Sequence, residues 1–102
     1  MTNKVELEFE GVTSEEFSDS SVRDGFLDGF SGAACGSASL TTYSTSNSKE
    51  ERIKAELRVD MPEEMEAGLE NLDFVASKIN EGLATHQLEQ RISAIVFVTV
   101  TR

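Results

Sequence analysis

Arg91-Ile-Ser-Ala-Ile-Val-Phe-Val-Thr-Val-Thr-Arg102 is the stretch around which the chain is organised. From Ile92 to Thr101 nearly every residue is β-branched or aromatic, with neither Gly nor Pro. Such side chains lose rotamer freedom in a helix and pack well on a pleated sheet, so the run predicts a strand. Strict alternation places Ile92, Ala94, Val96, Val98 and Val100 on one face, and Ser93, Ile95, Phe97, Thr99 and Thr101 on the other. The first face is apolar throughout, and the second has an apolar middle at Ile95 and Phe97. Such a strand needs cover on both sides.

Upstream, Lys4-Val-Glu-Leu-Glu-Phe-Glu10 alternates strictly. Val5, Leu7 and Phe9 point inward, while Glu6, Glu8 and Glu10 point outward, and Gly11 ends the strand. Thr13-Ser-Glu-Glu16 has the spacing of a capping box. The helix it opens runs from Ser14 to Ala34, or restarts at Ser20, because Ser18-Asp-Ser-Ser21 is poor in helix formers. Val22, Phe26, Phe30 and Ala33 form its apolar stripe. Gly25, Gly29 and Ala33 allow its backbone a close approach to a neighbour.

Gly36 closes this helix, and Ser37 to Thr45 reads as a second strand. Ala38, Leu40 and Thr42 share one face; Ser39, Thr41, Tyr43 and Thr45 share the other. Ser44-Thr-Ser-Asn-Ser-Lys49 supplies a turn into the strand Arg52–Val59. There Ile53, Ala55, Leu57 and Val59 face inward, against outward Arg52, Lys54, Glu56 and Arg58. Asp60-Met-Pro-Glu-Glu64 has the chemistry of a helix start. Met65, Leu69, Leu72, Ala76, Ile79 and Leu83 then predict one amphipathic helix to about Gly82.

The order is βαββαβ within residues 1–102, one domain by ordinary size. It predicts an α+β fold, a ferredoxin-like two-layer sandwich with antiparallel sheet order 4-1-3-2 and both helices on one face. Charge supports that order. The first and third strands become antiparallel neighbours, so Glu6, Glu8 and Glu10 face the Arg52, Lys54 and Arg58 row. The same order makes the apolar last strand an edge, which is an aggregation hazard unless another chain covers it. A homodimer is therefore expected, through this edge or through the open sheet face.

The formal net charge is −10, from 19 acidic and 9 basic residues. That excess disfavours nucleic acid and anionic membrane as partners, since phosphate recognition needs Lys/Arg patches. Cys35, the sole cysteine, rules out an internal disulfide, and its small neighbours suggest a buried, slowly reacting thiol. The sole His86 reads as a surface residue. No cofactor or metal is expected: one Cys and one His cannot build a common structural zinc site, and no Gly-rich phosphate loop precedes either helix. No apolar leader or membrane-length run is present, so a cytoplasmic location is expected.

These features predict a non-catalytic protein-interaction domain that pairs with itself or with a basic protein. Small acidic inhibitors of the immunity type share its size and charge. The candidate surface is Tyr43, Ile95, Phe97, Thr99, Glu6, Glu8, Arg52 and Arg58. The alternative is a small-molecule binder or enzyme of the dimeric α+β barrel kind, with Tyr43, Thr41, Thr99 and Phe97 lining a cavity between two sheets.

Overall fold

A computed structural model describes residues 2–46 and 51–101. Strands β1 (Thr2–Glu10), β2 (Ser37–Ser46), β3 (Arg52–Asp60) and β4 (Ala94–Thr101) form one antiparallel sheet in the order β2-β3-β1-β4. That is the expected order read from the other edge. Helices α1 (Ser14–Phe17), α2 (Ser20–Ala34) and α3 (Leu72–Thr85) complete the α+β architecture. Val5, Leu7, Phe9, Ile53, Ala55, Leu57 and Val59 lie in one apolar core with Phe17, Val22, Phe26, Phe30, Val75, Ile79 and Leu83. The turn expected at 44–49 begins later, since β2 continues through Ser46; the rest of it lies outside the described residues.

The first helical segment takes the restarted form. Thr13 accepts from the Glu16 backbone N–H at 3.1 Å, and the Glu16 carboxylate accepts from the Thr13 N–H at 2.9 Å. After one turn the chain breaks, and Asp19 caps α2 by accepting from the Ser21 N–H at 2.9 Å. The backbone hydrogen bond from Thr13 holds the Glu16 carboxyl below the ordinary glutamate range, with a further contribution from the Gln90 amide. A depressed folded pKa adds stability that is present above the unfolded value and lost as pH falls through the folded one. The parent should therefore lose more stability than Glu16→Gln between about pH 4.3 and pH 2. Chemical denaturation across that range checks this, and identical acid limbs would contradict it.

The second predicted helix is corrected. Asp60–Glu64 does not start an α-helix: the chain makes two 3-10 turns, Glu63–Met65 and Ala67–Glu70, before α3 begins at Leu72. Gly68 weakens helix in this segment, and Asn71 sits extended at φ −82°, ψ 93°, accepting from the Phe74 N–H at 3.2 Å. A short amide that bonds the backbone locally starts a new helix rather than continuing an old one. The buried stripe of α3 accordingly centres on Val75, Ile79 and Leu83. Its C-terminus closes with Gln87 at φ 61° and the Leu88 N–H donating to the Leu83 carbonyl at 3.0 Å.

Cys35 is also corrected: it is exposed, and it occupies the left-handed cap of α2 at φ 52°. The neighbouring glycine cannot take that place. A Cβ on Gly36 would stand 1.8 Å from the Asp60 carbonyl oxygen, so the glycine is needed where the chain passes the end of β3. A left-handed non-glycine residue costs roughly 1–2 kcal/mol. Cys35→Gly should therefore stabilise the fold, by up to about 1 kcal/mol after the entropy of the extra glycine is counted. The native thiol should react with a maleimide nearly as fast as the denatured one; strong protection would contradict its exposure.

Candidate functional site

Period-two alternation brings six of the eight candidate residues to one sheet face, and each edge strand breaks the pattern once. Between Glu8 and Phe9 of β1 the partner steps from Phe97 to Ile95, leaving Val96 as an extra residue. The result is a bulge, which changes which way the preceding side chains point. Ile95, expected on the open face, is instead in the core at 7% exposure, and Val96 takes the outward place at 38%. Burying an Ile gives up to about 3 kcal/mol, more than the roughly 1 kcal/mol of a lost ladder hydrogen bond. Phe97 stays on the charged face opposite Glu8, with the Lys54 ammonium 5.9 Å from its ring centroid.

The other edge repeats the device. Leu40 pairs with Leu57 but Thr42 pairs with Glu56, so Thr41 is the extra residue. Tyr43, expected to point outward, is turned to the core side opposite Ala55 and packs edge-on against Phe17 at 4.9 Å between centroids. Thr42 takes the outward place. Nothing in simple alternation marks either bulge. What could have pointed to them is the size order of the side chains: each bulge moves the bulkier apolar residue inward.

The charges on this face pair in a different register from a simple Glu-to-Arg row. Glu10 meets Arg52, whose Nε donates to its Oε1 at 2.6 Å, and Glu8 lies opposite Lys54. Glu6, however, faces Glu56, and Lys4 faces Arg58. The Lys4 ammonium resolves both like pairs diagonally, reaching Glu56 at 2.8 Å and Glu6 at 3.6 Å. Its hydrogen bond to Glu56 raises the Lys4 pKa above the ordinary lysine value. Thr99, opposite Glu6, is exposed beside this network. A hollow of about 260 Å³ is lined by Glu6, Thr42, Tyr43, Ser44, Lys54 and Glu56.

Three contacts were not legible in the sequence. Asn80 clamps the approach to β4, accepting from the Ile92 N–H at 2.8 Å and donating to its carbonyl at 3.1 Å. Glu51 accepts from the Ser14 N–H at 2.7 Å, and that bond holds its carboxyl below the ordinary range. His86, at the end of α3, contacts Asp28 of α2.

Charge is distributed unevenly over these elements. The four strands carry five acids and four bases, a net of −1. The helices, the 3-10 turns and the segments joining them to the strands carry twelve acids and three bases, a net of −9. The β2–β3 connection and Arg102 cancel, which accounts for the total of −10. Among the described residues no group of His, Cys, Asp and Glu is arranged to hold a metal ion, and no helix is long and apolar enough to cross a membrane. Compared with known proteins, the chain matches no family model, no curated protein and no solved structure.

Proposed function

We propose that the chain is a ferredoxin-like protein-interaction domain, with both helices on one sheet face, that binds a basic protein through its acidic helical side. The layer arrangement is supported by the common core of alternate β1 and β3 residues with α2 and α3. The observation that carries the function is the separation of charge: −9 on the helices, turns and joining segments against −1 on the strands. The strands offset their five acids with four bases, whereas the helical side offsets twelve acids with only three. A concentrated negative potential raises the encounter rate with a cationic surface and disfavours wrong partners.

The test is capture from native lysate with three proteins: the parent, a variant with Glu64, Glu70, Asp73 and Glu89 made neutral amides, and a variant with Glu8 and Lys54 both made Gln. A basic protein should be retained in stoichiometric amount by the parent and the sheet variant, and lost by the helical variant. Equal retention by all three would overturn the reading.

Pairing with a second copy is a second reading, favoured by one observation: β4 carries no charged residue from Ala94 to Thr101, so the strand itself, as distinct from the glutamates that flank it, sets no like charge against its copy. Sedimentation of the parent and Phe97→Glu at micromolar concentration tests it. A parent dimer that Phe97→Glu dissociates supports this reading, and a parent monomer removes it.

A further inference from the structure

We infer that the basic partner is held as an added strand: an extended segment with basic residues at alternate positions, docked along the free edge of β4. The inference rests on the basic-partner reading above and names the place and form of that contact. Among the described residues β4 is an edge strand, paired only with β1. The bulge at Val96 disrupts the first part of that edge and leaves a regular stretch from Phe97 to Thr101. An added strand gains main-chain hydrogen bonds there, and alternate side chains decide which segment is accepted.

The flank of this edge selects for cations. Val98 and Val100 point to the core side but remain half-buried, because no strand lies beyond them. With Leu69, Glu66 and Glu70 they line a hollow of about 170 Å³ between β4 and the second 3-10 turn. Its apolar lining is Leu69, Val98 and Val100, and its acidic lining is Glu66 and the exposed Glu70. A Lys or Arg side chain matches both, laying its aliphatic stem over the valines and placing its charged head at Glu70. A second copy matches poorly: β4 would bring no cation to the hollow, and two acidic linings would be drawn together.

The test uses an eight-residue peptide of alternating Lys and Val, and the same peptide N-methylated at every amide. The methylated form keeps the charge but cannot add a strand. Titrated into isotope-labelled protein, the first peptide should shift the amide signals of Phe97–Thr101 and bind at least tenfold more tightly than the second. Glu70→Lys should weaken it by about fivefold, the upper range of an exposed ion pair. Equal binding by both peptides, with β4 amides unmoved, overturns strand addition and leaves the basic-partner reading standing. No binding by either peptide at low salt overturns both. A parent dimer already occupying the β4 edge overturns the inference in favour of self-pairing.

Discussion

Gly82→Ala should destabilise the protein by up to about 2 kcal/mol, although alanine is the better helix former. A Cβ at Gly82 would lie 2.4 Å from the Gly25 carbonyl oxygen, 2.4 Å from the Gly29 nitrogen and 2.6 Å from its Cα. Those are backbone atoms of α2, which cannot swing aside as a side chain can, so the helices must separate. Overpacking of this kind costs roughly 1–3 kcal/mol and occasionally more, against about 1 kcal/mol of helix propensity gained. Gly32, on α2, provides the opposite case. Nothing lies within 4 Å of a Cβ built there, so propensity decides, and Gly32→Ala should stabilise by up to about 1 kcal/mol. Denaturant midpoints of the two variants check the argument. Shifts of the same sign would show that contact distance at the α2–α3 crossing does not govern the outcome.

Phe17→Ala should cost about 3–5 kcal/mol, the range for removing a buried aromatic, out of a total near 5–15 kcal/mol for a domain of ordinary stability. Phe17 is fully buried on the one-turn α1 and is shared by three rings. Its centroid lies 5.5 Å from that of Phe9, 5.4 Å from Phe26 and 4.9 Å from Tyr43, each in an edge-on arrangement. Its loss opens a cavity and also removes the support of Tyr43 on the β2 edge. Phe17→Leu keeps most of the volume and should cost much less. A melting temperature close to the parent's for Phe17→Ala would contradict this account of the core.

The sequence was most readable where side-chain period and charge carried the same message. β1 and β3 follow strict alternation in the structure, because both are central strands with one buried and one charged face. The Thr13 cap was legible because capping needs particular side chains at fixed spacing. The closely packed Gly25 and Gly29 were visible on α2, but their counterpart Gly82 was not, since one glycine near a helix end looks like a stop signal. Edge strands were the least readable. A bulge displaces every side chain beyond it by one place, and its gain comes from tertiary packing of Ile95 and Tyr43 that no local pattern records. The exposed Cys35 was hidden for the same reason, because the demand for Gly36 comes from Asp60 at a distance along the chain. Of the candidate surface, Glu6, Glu8, Arg52, Arg58, Phe97 and Thr99 share the charged face, while Ile95 and Tyr43 belong to the core side.

The central claim is that this acidic chain offers its β4 edge to a basic strand, and amide hydrogen exchange from Phe97 to Thr101 tests it most directly. In the free protein at micromolar concentration, amides paired with β1 should be protected and the alternate amides should exchange nearly as fast as in an open chain. With the basic partner bound, both sets should be protected. Protection of both sets in the free protein, or no change on binding, would contradict the account.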